Sequence, residues 1–193
     1  MEMGIRFTGF GGQGVILMGI ALARAAALHD QPVGPDGKVR RKNAIQTQSY
    51  GPSARGGHSK CDVKISNETM HYPFVEIPDF LVVMSRPGYE KYIHDIKPET
   101  KIIIDPDMIP QRPSGHLFRI RATKSAEELG TRVVANVVML GAMREISNIV
   151  TYEAMEKAVL EVVPKPTHDL NKSALSLGRS LAREAVHGAE DKD

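Results

Sequence analysis

The residues that could do chemistry in this chain form a glycine-rich stretch close to the N-terminus. Four glycines fall within the six residues of Gly9-Phe10-Gly11-Gly12-Gln13-Gly14. Backbone N–H groups in such a turn are open to a ligand, because no Cβ blocks its approach. The apolar residues that follow predict a helix, whose N-terminus adds unpaired donors and a partial positive charge. The stretch therefore predicts a binding site for a phosphate or another anion.

A second glycine-rich loop, residues 49–59, contains a positively charged residue, Arg55. Arg55 offers a planar fork of donors that suits a phosphate or a carboxylate. Gly56 and Gly57 would let the backbone pass close to a ligand or a partner chain. An ordinary omega loop with a surface arginine is the alternative. We favour a functional loop, whose polar neighbours are Ser49, Tyr50, His58 and Ser59.

The first stretch also fits the spacing G-x-G-x-x-G of dinucleotide-binding proteins, through Gly9, Gly11 and Gly14. That fingerprint includes an acid at the end of the second strand, which holds the ribose. The predicted second strand ends without an acid, and Asp30 lies at the end of the first helix instead. A strand–helix junction without a ligand and a nucleotide site remain alternatives. We favour an anion that does not belong to a nicotinamide cofactor.

Conventional catalytic machinery is missing from the sequence. It contains no nucleophile elbow, P-loop lysine or H-E-x-x-H motif, so we assign no catalytic residue. Asp105 and Asp107 end a predicted strand, but an Asp-Pro turn explains them equally well. The one cysteine, Cys61, excludes an intrachain disulfide and a cysteine-ligated cluster held by this chain alone. We place Cys61 in the core, and the scattered histidines predict no metal site.

Composition indicates an ordinary globular protein. The chain has 193 residues, of which 41% are hydrophobic and 25% charged, with a net charge of +2. This balance excludes a dedicated nucleic-acid binder, and the basic cluster of Lys38, Arg40, Arg41 and Lys42 is interpreted as solvated. No apolar run reaches the ~20 residues that span a bilayer. We expect a cytoplasmic protein that does not bind membranes.

The order of strand and helix patterns predicts an α/β fold. We expect a single domain over residues 1–193, with a sheet-forming part (1–124), a helical part (125–187) and a frayed tail (188–193). The sheet is expected to be Rossmann-like, mixed or mostly parallel, flanked by helices and followed by C-terminal helices. Apolar runs predict buried strands at 80–84 and 101–105, and a short hairpin strand is expected at 69–71. Ser85 and Thr151 are expected to cap the N-termini of two helices. Residues 30–41 are expected to form an exposed excursion.

These motifs together resemble the gamma component of 2-oxoacid:ferredoxin oxidoreductases. The pairing of GFGGQG with SYGPSARGG is specific, whereas either motif alone would be weak. The residues Thr47-Gln48-Ser49-Tyr50 resemble the 2-oxoglutarate type more than the pyruvate type. The segment 30–41 departs from the family pattern by being longer and more basic. The matching stretches are Gly9–Val15, Thr47–Ser59, Pro78–Ser85, Asp105–Asp107 and Val134–Gly141.

The resemblance implies a multi-subunit enzyme of which this chain is one part. Such complexes decarboxylate a 2-oxoacid oxidatively, form an acyl-coenzyme A and pass electrons to ferredoxin. Thiamine diphosphate, Mg²⁺ and iron–sulfur clusters of the 4Fe–4S type are expected on alpha, beta and, where present, delta partner subunits. This chain would hold no cofactor by itself and would be inactive alone, although the isolated chain could form a homodimer.

The resemblance also assigns roles within the site. Backbone and amide donors of Gly11, Gly12, Gln13 and Gly14 would bind the phosphates of coenzyme A, and Arg55 would add charge. Asn136, a polar residue in an apolar helix, would tie a glycine loop to the core. The residues expected to face the coenzyme A or thiamine site are Gly9, Gly11, Gly12, Gln13, Gly14, Ser49, Tyr50, Arg55, Gly56, Gly57, Ser59 and Asn136. A stand-alone nucleotide-binding oxidoreductase and a purely structural subunit remain the alternatives.

Overall fold

The described residues of the structure, a computed structural model, build one sheet covered by helices on both faces. The structure describes residues 2–32, 36, 39–50, 58–110 and 115–190, and for Tyr50 and residues 187–190 it describes the backbone alone. Within these ranges the sheet has six strands in the order β2-β3-β1-β4-β5-β6. The strands are β1 (Glu2–Phe10), β2 (Asn43–Tyr50), β3 (His58–Ser66), β4 (Phe80–Val83), β5 (Lys101–Ile104) and β6 (His116–Arg119).

The sheet is mixed, as the sequence predicts. β1, β4, β5 and β6 run parallel, whereas β3 lies antiparallel between β1 and β2. All four residues of β4 are buried, because helices cover both faces of the parallel part. The antiparallel pair β2–β3 instead forms one margin of the sheet, and β2 is the terminal strand.

Six α-helices are described, and two of them begin at side-chain caps. Ser85 caps α2 by accepting from Gly88 N at 3.3 Å, and Thr151 caps α5 by accepting from Ala154 N at 3.3 Å. Both caps confirm sequence predictions. α1 continues without a break into a π-helical turn, Ala25–His29. The helices are α1 (Val15–Arg24), α2 (Arg86–Tyr92), α3 (Ala122–Glu128), α4 (Ala135–Ser147), α5 (Tyr152–Val162) and α6 (His168–Glu190).

The helices divide between the two faces of the sheet. One face carries the main apolar core, to which α1, α4, α5 and α6 contribute, with Phe7 and Cys61 among the sheet residues. The other face packs a smaller cluster that includes Tyr92 of α2 and Ile109. α1 follows β1 onto the first face and α2 follows β4 onto the second, so the two connections diverge between neighbouring parallel strands.

Three details of the prediction are wrong. No strand forms at residues 69–71, because the segment 67–79 crosses the second face of the sheet, where Val75 packs against Gly4 and Arg6 donates to Val75 O. α6 continues to Glu190, past the predicted start of the tail at 188, and residues 191–193 lie outside the described chain. Lys42 is not solvated, since its ammonium bonds Asp30 and the carbonyl of Ile149.

Candidate functional site

The glycine turn lies at the carboxyl end of β1, where the connections from β1 and β4 leave for opposite faces. In open α/β sheets a crevice forms at this point, and ligands bind there. The turn opens α1: Gly14 stands at its N-cap position with φ 73°, and no side chain caps the helix. Gly12 also has a positive φ, of 98°, and a Cβ added there would meet nothing within 4 Å. Gly11 and Gly12 are exposed, so their backbone faces open space.

The side chain of Gln13 braces this turn. Its Oε1 accepts from Phe10 N at 2.6 Å, and its Nε2 donates to the carbonyl of Met84 at 3.0 Å. Gly9 is required beneath it, because a Cβ at that position would lie 2.6 Å from Gln13 Oε1. The carboxamide therefore fastens the end of β1 to the end of β4 and is engaged within the protein.

Asn136 holds the turn from the other side. This residue is buried at the start of α4, and its Nδ2 donates to Gly14 O at 3.4 Å. A Cβ on Gly14 would collide with the Asn136 amide, so this close approach requires glycine as well as the positive φ. α4 thus fixes the position of the α1 N-terminus.

A cavity of about 300 Å³ opens beside the turn. Its volume falls at the lower end of the range for small-molecule sites, about 300–1,000 Å³. At its rim Val133 is 80% exposed, and the adjacent Arg132 supplies a cation. The Nε of Arg132 lies 3.0 Å from Glu127 Oε1, in a pair whose side chains are both more than half exposed. The lining residues are Gly12, Gln13, Met84, Met108, Thr123, Arg132, Val133, Ala135 and Asn136.

Sequence reasoning missed Arg132, although a signal for it exists. Arg132 precedes Asn136 by four residues, and residues at that spacing share one face when both lie on a helix. The short 3-10 turn Arg132–Val134 leads directly into α4, and Thr131 caps it by accepting from Val133 N at 3.3 Å. Arg132 therefore lies about one helical turn before Asn136, on the side that faces the glycine turn contacted by Asn136.

The strand ends bring the two predicted loops to the same edge of the sheet. Gly9 pairs with Ser59, and Tyr50 pairs with Ser59 from the other side. Ser59 is buried and its Oγ donates to Gly9 O at 3.4 Å, whereas Ser49 is exposed at the end of β2. Residues 51–57, with Arg55, Gly56 and Gly57, lie outside the described residues, so their predicted roles remain predictions.

His58 starts β3 at this edge, close to a lysine. Its Nε2 lies 2.5 Å from the Nζ of Lys91 on α2. Partial burial and the charge of Lys91 both lower the pKa of His58. The lowered pKa favours the neutral imidazole, which can accept a hydrogen bond from the ammonium group.

Two carboxylates that could have served a ligand are engaged within the protein. Asp30 is buried and accepts from Lys42 Nζ at 2.5 Å and from Thr151 N at 2.9 Å. Burial raises its pKa, but the hydrogen bonds and the charge of Lys42 outweigh this effect and leave the pKa below its usual value. Asp105 accepts from Thr123 N at 2.7 Å and from Asp107 N at 3.1 Å. Neither carboxylate is free to hold a ribose, and Asp105 shapes a turn.

The other residue that could take part in chemistry, Cys61, has a structural role. Cys61 is fully buried against Gly19 of α1, and burial raises the pKa of its thiol to about 11, so the prediction of a core cysteine is confirmed. The described side chains include no group of three or more His, Cys, Asp or Glu residues placed to hold a metal ion. In the part of the chain that the structure describes, every helix is too short or too polar to span a bilayer.

Comparison with known proteins finds relatives along nearly the whole chain. The family model of pyruvate ferredoxin/flavodoxin oxidoreductase matches residues 4–181. The 2-oxoglutarate synthase subunit KorC of Methanocaldococcus jannaschii is 45% identical over 189 residues, which cover 95% of this chain and 96% of the relative.

Solved structures share the fold described above. The gamma subunit of a keto/oxoacid ferredoxin oxidoreductase from Geobacter sulfurreducens is 37% identical with a TM-score of 0.79, covering 95% of this chain and 99% of that one. A 2-oxoglutarate:ferredoxin oxidoreductase from Magnetococcus marinus has a TM-score of 0.80 at 22% identity. That match covers 95% of this chain but 31% of the longer one.

Proposed function

The chain belongs to the pyruvate ferredoxin/flavodoxin oxidoreductase family, and we propose that it is the gamma subunit of a complex that acts on 2-oxoglutarate. One observation carries the choice of substrate: the 45% identity to a 2-oxoglutarate synthase subunit extends over 96% of that subunit. The complex oxidatively decarboxylates the 2-oxoacid, joins the acyl group to coenzyme A and passes electrons to ferredoxin.

Coenzyme A is the ligand that the glycine turn suits best. Its diphosphate would lie against the exposed backbone of Gly11 and Gly12 at the uncapped N-terminus of α1. Met84, Met108 and Val133 would contact an apolar part of the ligand, and Arg132 would approach a phosphate from the rim. This combination of anion donors with an apolar wall suits a long molecule that carries phosphates and an uncharged arm.

The same geometry requires a partner subunit. Cavities of about 300 Å³ enclose small ligands, and coenzyme A is considerably larger, so much of it would lie outside this chain. Asp105, at the end of β5 beside this cavity, accepts from Thr123 N and Asp107 N, so its carboxylate is not free for proton transfer. The reacting groups would come from alpha and beta subunits.

The cofactors of such a complex suit other chains better than this one. A cluster ligated by cysteines needs several thiolates, whereas this chain has one cysteine, buried at Cys61. Thiamine diphosphate, Mg²⁺ and the iron–sulfur clusters are accordingly assigned to partner subunits, and ferredoxin would dock on the chains that hold the clusters. This chain supplies binding and orientation at the coenzyme A site.

Native purification of the tagged chain tests this function. The eluate is assayed for coenzyme A-dependent viologen reduction with a panel of 2-oxoacids. We expect co-purifying subunits that carry thiamine diphosphate and clusters, and fastest reduction with 2-oxoglutarate. Preference for pyruvate or a branched 2-oxoacid would contradict the proposed substrate. A solitary chain that binds a nucleotide tightly would instead support the stand-alone oxidoreductase.

A further inference from the structure

The Asp-Pro-Asp motif at the end of β5 adjoins the candidate site, yet none of its residues lines the cavity. Asp105 follows β5 directly and is fully buried. Its Oδ1 accepts from Asp107 N at 3.1 Å, a bond within the Asp-Pro turn. Its Oδ2 accepts from Thr123 N at 2.7 Å, across 18 positions of the chain. A local turn accounts for the first bond but not for the second.

The bond to Thr123 fixes the start of α3. The first N–H groups of a helix have no partner within it, and a side chain at the N-cap position commonly accepts from one of them. α3 has no such cap, because Arg121 at its N-cap position makes no capping hydrogen bond. The carboxylate of Asp105 supplies the acceptor from a distant segment instead. It therefore joins the end of β5 to the start of α3.

Both segments that Asp105 joins line the cavity beside the glycine turn. Met108, in the turn after β5, and Thr123, in the first turn of α3, are lining residues. The carbonyl of Asp105 also accepts from Met108 N at 3.1 Å. Asp105 thus bonds the backbone of two residues of the cavity wall, while its own side chain is withdrawn from the cavity.

The carboxyl ends of three neighbouring parallel strands meet at this cavity. β1 leads into the glycine turn, β4 into Met84 and β5 into Asp105. Gln13 fastens the first two ends to each other through its bond to Met84 O. Asp105 fastens the third end to α3. The place of the far wall relative to the glycine turn therefore depends on the Asp105 carboxylate.

We propose that Asp105 is a positioning residue for coenzyme A, which sets the place of Met108 and Thr123 against the uncharged arm of the ligand. This inference rests on the proposed function of the cavity. The arm ends in the thiol that accepts the acyl group, and a small misplacement of a reacting atom can cost much of the rate. The diphosphate lies against the glycine turn, which Asp105 does not contact.

Asp105→Asn in the assembled complex tests this role. The carboxamide has nearly the same shape, but it can accept from only one of the two N–H groups, because its NH₂ group faces the other. We expect kcat/KM for coenzyme A to fall about tenfold. The inhibition constant of ADP, which carries a diphosphate but no arm, should stay unchanged. Viologen reduction at a series of coenzyme A and ADP concentrations measures both quantities.

Asp30→Asn is the matched control. Asp30 is also a buried carboxylate that accepts from a backbone N–H at the start of a helix, that of Thr151. It follows the far end of α1, about 22 Å from the glycine turn at ~1.5 Å per residue. Its kcat/KM for coenzyme A should equal that of the wild type. Equal falls in the two variants, or equal effects of Asp105→Asn on coenzyme A and ADP, would overturn the proposal.

Met108→Ala shows whether Asp105 acts through the cavity wall. If it does, adding Asp105→Asn to Met108→Ala should lower kcat/KM for coenzyme A much less than Asp105→Asn does in the wild type. Effects that multiply would overturn the positioning role. Arg132→Ala separates this proposal from the proposed function. A raised coenzyme A KM in Arg132→Ala with no change in Asp105→Asn refutes the role of Asp105 alone, whereas no change in either variant removes the cavity from the coenzyme A site.

Discussion

Two carboxamides, those of Gln13 and Asn136, hold the glycine turn in one shape without a ligand. Gln13 joins the turn to β4, and Asn136 joins it to α4. Binding to a turn that is already ordered avoids the entropy cost of ordering it. The backbone of Gly11 and Gly12 stays exposed, and under the proposed function it is the part that would meet the ligand. At the scale of single residues, the amide side chains position the turn, and the glycines are proposed to bind.

Truncation of Arg132 should weaken coenzyme A binding selectively. In the assembled complex we expect Arg132→Ala to raise the coenzyme A KM about tenfold, or ~1.4 kcal/mol, with little change in kcat, because the lost contact is with a part of the ligand that does not react. Steady-state viologen reduction at a series of coenzyme A concentrations measures both constants.

Arg40→Ala is the matched control for that measurement. Arg40 is equally exposed, at 64% of its side chain, and it also pairs with a carboxylate, that of Asp36. It lies before β2, at the other end of the sheet from the turn. Equal effects of the two substitutions, or an unchanged KM for Arg132→Ala, would remove Arg132 from the site.

At the scale of elements, the helical layer depends on two glycines where α4 and α6 cross. A Cβ on Gly178 would run into the backbone of Val138, and a Cβ on Gly141 would run into the backbone of Leu175. The helices therefore approach each other backbone to backbone. Since Asn136 lies on α4, the packing of α6 against α4 also sets where the glycine turn is held.

Gly178→Ala should destabilise the protein, although alanine is the better helix former. Helix propensity alone would stabilise by about 1 kcal/mol. The added methyl group meets backbone, which cannot rotate away, and overpacking of this kind costs about 1–3 kcal/mol. We therefore expect a lower urea midpoint with an unchanged m value. Ser173→Ala, on an exposed face of the same helix, should not lower it, and a stabilised Gly178→Ala would show that the helices can separate at small cost.

Local sequence signals predicted the helices and strands better than the long-range contacts between them. The buried strands, the caps at Ser85 and Thr151 and the core position of Cys61 follow from residues within a few positions of each other, and all are confirmed. The hairpin expected at 69–71 failed because a distant contact, Val75 on Gly4, directs that segment across the sheet.

The candidate site likewise has one part that local sequence predicts and another that depends on long-range contacts. The glycine turn could be predicted because glycine spacing is a local property of the chain. Arg132 reaches the turn only through the docking of α4, so its spacing of four residues from Asn136 becomes informative only once the contact of Asn136 with the turn is known. Asp30 has the sequence separation of a ribose-binding acid, yet the fold brings Lys42 and Thr151 to it and engages both of its oxygens.

At the scale of the whole molecule, Asp30 ties together three parts of the chain. Its carboxylate receives Lys42, which precedes β2, and Thr151 N at the start of α5, while Asp30 itself follows the last turn after α1. Lys42 also donates to the carbonyl of Ile149. Because the group is buried, loss of its charge should be felt in global unfolding rather than in local fraying.

Asp30→Asn should therefore destabilise the protein near neutral pH, by about 1–3 kcal/mol, since charged hydrogen bonds are lost. The folded-state pKa of Asp30 lies below its usual value, so its contribution is complete above the unfolded pKa of about 3.9 and is lost as pH falls through the folded value. The stability difference between wild type and variant should accordingly shrink below about pH 4. Urea unfolding at several pH values measures this stability difference.

Asp107→Asn is the control for that measurement. The carboxylate of Asp107 lies 3.9 Å from the guanidinium of Arg121, in a largely exposed pair, so its loss should change stability little. A difference that stays constant into acid would mean that the Asp30 charge is not what joins these elements.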